Sequence, residues 1–388
     1  MDGNKLSDPW IVLLGTLLYS AGSAIFYLMP PYLAFLGGRL SLDPGQLGTL
    51  AAAESAAIGV ASLFGPLWID RIDRRFAMGF AALVCIGGNL ASGLLGGFGA
   101  ILACRVVIGL LGEGVFYTAC CAVLTQARNV DRAFGIALTV AVIYGALVTG
   151  SSPFLVRLFP AVGPMSGLIL IGAAVLPFVF MFDRLKPAAE VRTQAQVDAP
   201  RGGTGIAFVA LLGQALWYGA PGAFWTFVEQ VATDKGVPTS TAEFAVSAGE
   251  MAGLLGGVAA TILGDRWGRF WPIVSATAGL VIPAILFQMS TGAFALALFL
   301  GIFYIFWNYG TVYQMSFTAS MDWTGRATVM IPAAQVFGLS FGPYAAGELI
   351  VGHGDGAVTV STVVFALSGL ALYFVCFARQ RRIGLAAV

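Results

Sequence analysis

A single histidine and a shortage of charge remove most catalytic and metal chemistry from this chain at the outset. Charged residues make up 10% of its 388 positions, where an ordinary soluble domain carries about 25%. With His353 alone, neither an H-E-x-x-H metal site nor a Ser-His-Asp triad can be assembled. No Walker A lysine motif occurs, which argues against ATP-driven chemistry within this chain. The five cysteines, Cys85, Cys104, Cys120, Cys121 and Cys376, all fall in apolar runs without loop or histidine partners. They read as small packing residues, so no disulfide framework, metal or cofactor is expected. The polar start, Met1 to Asp8, leads straight into an apolar run and lacks the short core and cleavage site of a removed signal peptide. A net charge of +1 gives no reason to expect a nucleic-acid partner.

What the chain has in quantity is apolar length. Hydrophobic residues reach 58% and the mean hydropathy is +0.87. Runs of about twenty apolar residues recur, the length needed to cross about 30 Å of hydrocarbon. Only helices or closed barrels satisfy their backbone there, and these runs lack strand-like alternation, so an all-α polytopic membrane protein is expected. Twelve spans are predicted: about 10–36, 46–69, 76–96, 99–126, 132–157, 164–183, 204–231, 242–263, 270–289, 292–318, 325–349 and 357–378. Punctuation such as Gly37-Gly38, Asp43-Pro44-Gly45 and Gly354-Asp355-Gly356 separates them. The one long polar stretch, with Lys186-Pro187 and Gly202-Gly203, reads as a flexible linker. The expected organisation is a six-span bundle over 1–183, a linker over 184–203 and a second six-span bundle over 204–388.

The basic residues give an orientation. With the N-terminus placed in the cytoplasm, 16 of the 20 Lys and Arg fall on the cytoplasmic side, and Arg39, Arg157 and Lys235 fall on the other. That bias predicts a multi-pass inner-membrane protein with both termini cytoplasmic. The two halves also match in detail. Asp70-Arg71-Ile72-Asp73-Arg74-Arg75 follows the second span, and Asp265-Arg266-Trp267-Gly268-Arg269 follows the eighth, half a chain later. Glu54 lies 16 residues before Asp70, and Glu250 lies 15 before Asp265. Asp131-Arg132 before the fifth span is echoed by Asp322 and Arg326 around the start of the eleventh.

These elements resemble the major facilitator superfamily, whose loop signature reads G-x-x-x-D-R-x-G-R-R/K. The first copy here departs by one extra residue after Gly65 and by Asp73 at the inner glycine, whereas the second keeps Gly268. Arg105-Val106-Val107-Ile108-Gly109 is similar to the family's R-x-x-x-G element in span four, and Gly338 to Pro343 is similar to the G-x-x-x-G-P element of proton-coupled antiporters. In span five only Gly145, Gly150 and a displaced Pro153 remain of that element, so the drug/proton antiporter branch is the nearest in character rather than a match. The resemblance implies two pseudo-symmetric six-helix bundles around a central cavity lined by spans one, four, seven and ten. It also implies alternating access, with the lipid bilayer, protons and a small-molecule substrate as partners and a monomer as the working unit.

Four ionisable side chains fall well inside spans: Arg105, Glu54, Glu113 and Glu250. A charge at mid-membrane costs at least about 2.5–3.5 kcal/mol, so each is a functional candidate. Glu113 is expected to carry a coupling proton, with Glu54 and Glu250 as further candidates or as hydrogen-bonding groups between closely packed helices. Eight residues turn a regular helix by about 800° and rise about 12 Å, so Arg105 and Glu113 share a broad face without bonding directly. Arg105 would attract an anionic substrate group or a carboxylate on a neighbouring span. Asp70, Arg71, Arg74, Asp265, Arg266 and Arg269 are expected to form rim ion pairs that gate the cavity.

Aromatic residues concentrate in the lining spans. Tyr19, Tyr117, Trp217, Trp225, Tyr304, Trp307, Asn308 and Tyr313 are expected to contact substrate, because rings with a few polar tips suit an aromatic or amphipathic organic solute. Tyr32, near a span end, reads as an interfacial anchor. The expected function is secondary active transport of such a solute, coupled to protons. The alternatives are a non-transporting receptor of the same fold and a proton symporter for an aromatic carboxylate.

Overall fold

Prolines and short polar side chains decide where these helices begin and break. The computed structural model describes residues 7–69, 71–124, 126–128, 130–184, 203–264, 266–322 and 326–382, which form helices and turns without a strand among them. Their contacts divide the chain into two compact units, residues 1–42 with 53–192 and residues 43–52 with 193–388.

The first unit opens with α1 (Asp8–Leu40), which starts on Pro9, carries Asp8 in its first turn and stops where Ser41 turns left-handed. The next helix, α2 (Pro44–Leu63), begins with a reciprocal capping box: Asp43 accepts from the Gln46 amide at 2.9 Å, and the Gln46 side chain accepts from the Asp43 amide at 3.2 Å. A short α3 (Gly65–Trp68) follows, then α4 (Arg74–Leu94). Asp73, the departure from the loop signature, accepts from the Phe76 amide at 2.8 Å and so caps α4. In the second copy Gly268 instead adopts φ +59°, the left-handed region that favours glycine. One motif position therefore does two different backbone jobs.

Span four is α5 (Phe98–Ile108), a π turn (Gly109–Glu113) and α6 (Gly114–Leu124). The predicted fifth span is split into α7 (Val130–Gly150) and α8 (Ser152–Leu158), where Pro153 sits in the first turn of the new helix. The predicted sixth is α9 (Met165–Val175) continued by a 3₁₀ segment (Leu176–Arg184), tightened where Pro177 can donate no backbone hydrogen bond. In the core of this unit α1 packs on α6 and α7, and α4 on α9. Leu14, Leu18, Met78, Ile108 and Phe116 are buried there.

The second unit holds α10 (Thr204–Asp234), α11 (Thr239–Leu263), α12 (Phe270–Met289), α13 (Ala293–Met321), a short α14 (Arg326–Val329), α15 (Ile331–His353) and α16 (Gly356–Arg382). Here α10 packs on α15 and α16, and α13 on α11 and α12. Among the described residues, nine helices are long and apolar enough to cross a membrane, counting span four and span six each as one. The remaining long helices, α2, α11 and α15, have 20, 25 and 23 residues, which at about 1.5 Å per residue is also membrane length. Glycines and one or two carboxylates in each dilute their hydropathy, and the small residues let neighbouring backbones approach.

Candidate functional site

Four helices of the first unit bring polar side chains to one dry point. Arg105 on α5 is fully buried and bonds the Glu54 carboxylate on α2, itself fully buried. Its other terminal nitrogen donates to Asn89 Oδ1 on α4 at 2.7 Å. The guanidinium also lies over the Tyr32 ring of α1, 4.7 Å from the centroid. Arg105 is thus held by a carboxylate, an amide and a ring. Sequence reasoning reached Arg105 and Glu54 and left open a partner carboxylate on a neighbouring span. It passed over Asn89, although an amide inside an apolar span is itself a signal. It placed Tyr32 at an interface, whereas α1 continues for two further turns to Leu40.

Glu113 joins this group because of the π turn. A π turn takes one residue more than an α turn for about the same rotation, so Arg105 and Glu113 are separated by about 700° instead of about 800°. The net angle falls from about 80° to about −20°, which lines the two side chains along one edge of the span. Glycines allow the close approach this needs. A Cβ on Gly109 would meet the Glu54 carbonyl oxygen at 2.6 Å, and one on Gly112 would meet Cys85 Sγ at 2.6 Å. Glu113 is 1% exposed and lies against the Glu54 carboxyl near Arg105, and no donor among the described residues reaches either of its oxygens. Elsewhere in this unit Tyr19 and Tyr117 pack with centroids 6.0 Å apart, and Phe26 meets Tyr117 edge-on at 6.1 Å.

The second unit gathers rings instead of charges. Trp225 packs on Tyr304 at 4.8 Å, Tyr304 on Trp307 at 5.0 Å, Trp307 on Tyr218 at 6.3 Å and Tyr218 on Trp217 at 5.7 Å. These contacts join α10 to α13 in one continuous array. Trp217 is fully buried and donates to Thr277 at 3.0 Å, and the Tyr218 hydroxyl lies 2.6 Å from that of Thr311. Asn308 donates to the Tyr304 carbonyl at 3.2 Å. Tyr313 meets Tyr309 edge-on at 5.0 Å and donates to the Gly264 carbonyl at 2.7 Å. Glu250 is fully buried, and neither of its oxygens has a partner among the described residues.

Of the proposed gating residues, Asp70 and Asp265 lie outside the described residues. Arg71 and Arg266 are exposed, and Arg74 lines a small cavity with Trp68, Met78, Val123, Gln126 and Phe182. Arg269 is half-buried and donates to Ser316 and Ser320 of α13 at 3.1 and 3.0 Å.

The same fold occurs in the xylose transporter XylE from E. coli in a partially occluded inward-open conformation, at 14% identity and a TM-score of 0.71 over 96% of each chain. It occurs in a point variant of the nucleoside transporter NupG, at 14% identity and 0.66 over 95% of this chain and 99% of that one. A bacterial homolog of the human lysosomal transporter Spinster, inward-facing and occupied, matches at 15% identity and 0.63 over 95% of each. At these identities the likeness is one of fold alone. No curated protein matches the chain in sequence. The sequence profile of the Major Facilitator Superfamily, however, matches residues 12–324. The chain belongs to the Major Facilitator Superfamily, and it is a secondary transporter built of membrane-spanning helices.

Proposed function

We propose that the chain moves a small aromatic or amphipathic organic solute across the inner membrane by alternating access, driven by protons, with both termini in the cytoplasm. The fold serves xylose and nucleoside transporters alike, so the substrate must be argued from the side chains. The Trp225-Tyr304-Trp307 array offers ring faces and few hydrogen-bonding groups. That supports a solute recognised by stacking over one recognised by many hydroxyls.

The observation that carries the proton coupling is Glu113. Arg105 and Glu54 neutralise each other, and the buried Glu113 carboxyl lies against the Glu54 carboxyl with no donor of its own among the described residues. Ionised there, it would cost several kcal/mol, and a bound proton removes that cost. A carboxyl that must be neutral before its bundle can close couples proton movement to the transport cycle.

The test is transport by the purified chain in proteoliposomes with an imposed pH gradient and a panel of aromatic amines, neutral aromatics and aromatic carboxylates. The expected result is uphill accumulation of one class, accompanied by proton movement and abolished by a protonophore. Binding without any translocation would make the protein a receptor. Equilibration that ignores the protonophore would remove the proton from the account.

A further inference from the structure

The two units treat their buried carboxylates differently. Glu54 and Glu250 occupy matching places in the duplicated sequence, 16 and 15 residues before the aspartates of the two loop clusters. Glu54 has a cation, Arg105, and both are fully buried. Glu250 has none. No lysine or arginine occurs within residues 204–234, 239–263, 270–289, 293–321 or 331–353, and α16 carries its three, Arg379, Arg381 and Arg382, only at its C-terminal end. The basic residues that flank them are committed or outside. Lys235 donates to backbone carbonyls, Arg269 to serines, and Arg266 is exposed. Glu229 and Glu243, both buried in the same unit, are likewise acidic and not basic side chains.

Next to Glu250 stands the aromatic array. Gly253, three residues on and on the same face of α11, has no side chain, and its Cβ position would meet the Tyr304 ring and, at 2.6 Å, the Asn308 amide. Tyr304 in turn is packed against Trp225 and Trp307. A fully buried carboxyl therefore sits one helical turn from a wall of three rings, with no cation among the described residues of its unit to answer it. Ring faces attract cations as carboxylates do, and a flat cationic base satisfies both at once.

We propose that the second unit binds the positively charged end of an organic cation, an aromatic or aryl-alkyl ammonium, on Glu250 with Trp225, Tyr304 and Trp307 as its ring wall. This rests on the reading of the chain as a carrier of aromatic solutes and fixes the charge that the solute bears. It also removes Arg105 from substrate selection, because Glu54, Asn89 and Tyr32 occupy that guanidinium. An aromatic carboxylate is then disfavoured in the second unit, whose long helices offer no buried cation among the described residues to answer it.

Three probes of one shape separate the cases: N-methyl-4-phenylpyridinium, neutral 4-methylbiphenyl and anionic biphenyl-4-carboxylate. Binding to the purified full chain is read by tryptophan quenching and calorimetry in detergent. The cation should bind at least tenfold more tightly than the anion. Glu250→Gln should lower cation affinity tenfold or more while neutral affinity stays within twofold, and Glu250→Asp, which keeps the charge, should retain the preference. Should the Gln variant not fold, the wild-type ranking and the Asp variant decide. Equal binding of all three, preference for the anion, or equal loss of cation and neutral probe in Glu250→Gln overturns the inference and leaves the transporter reading standing. Binding of none of the three overturns the aromatic-solute reading and this inference with it.

Discussion

Arg39 and Lys235 do the same work at matching places in the two units. Arg39, at the end of α1, donates to the carbonyls of Gly93, Ser92 at 3.1 Å, Leu95 at 2.5 Å and Ala161 at 3.3 Å, which covers the C-terminus of α4. Lys235, at the end of α10, donates to Phe287 at 2.7 Å, Gln288 at 2.8 Å and Ser290 at 3.2 Å, which covers the C-terminus of α12. The two are separated, to within one residue, by the offset between Asp70 and Asp265. Each satisfies carbonyls that have no intrahelical partner and places positive charge at the negative end of a helix dipole. Arg39 and Lys235 are thus clamps between the first and third spans of their units.

Arg39→Met and Lys235→Met should each destabilise the chain by about 1.5–3 kcal/mol, the usual value of hydrogen bonds from a charged donor. Because the clamps share no partner, the double variant should show the sum. Thermal unfolding in detergent checks this, and an unshifted midpoint in both single variants would reduce the clamps to surface contacts.

Arg105 and Glu54 should behave as a coupled pair. Removing one partner alone, as in Arg105→Met or Glu54→Met, leaves a buried charge and should cost about 3–5 kcal/mol. The double variant should recover most of that loss, since an apolar pair carries no desolvation debt. A double-mutant cycle on unfolding midpoints reads the coupling, and simple additivity would contradict the ion pair.

How far the sequence foretold this site depends on which physical effect was at issue. Apolar run length located the spans, and Arg105, Glu54, Glu113 and Glu250 stood out because a charge in hydrocarbon is rare. The convergence of Glu113 on Arg105 was hidden, because angles computed for a regular helix fail across the π turn at Gly109–Glu113. Pro153 and Pro177 are plain in the sequence, yet a proline inside a membrane span is often tolerated, so the breaks they make were not foreseen. Arg39 and Lys235 counted there only as charges, because their partners are backbone carbonyls and carry no sequence signal.

Trp307→Ala should weaken binding of aromatic solutes tenfold or more, since loss of one stacking ring costs about 1–3 kcal/mol. It should do so whatever the charge of the solute, unlike a change at Glu250. Calorimetry with the three isosteric probes separates the two effects, and an unchanged affinity for all three would take Trp307 out of the solute site.

The paired loop clusters are proposed as gates. Asp70→Asn and Asp265→Asn should weaken rim ion pairs and shift the population toward the form open on the charge-rich side. Gln314, fully buried on α13, offers a reporter as Gln314→Cys, with the native cysteines measured in parallel. Its alkylation should accelerate in both aspartate variants. Equal rates in all backgrounds would leave the clusters as topological anchors.

Proton coupling through Glu113 is the centre of this account, and one pair of assays on Glu113→Gln tests it most directly. Glutamine imitates the protonated carboxyl in shape and neutrality, so solute exchange across proteoliposomes with equal pH on both sides should persist. Uphill accumulation under an imposed pH gradient should be lost, and with it solute-dependent proton movement. Wild-type uphill transport in Glu113→Gln would contradict the assignment.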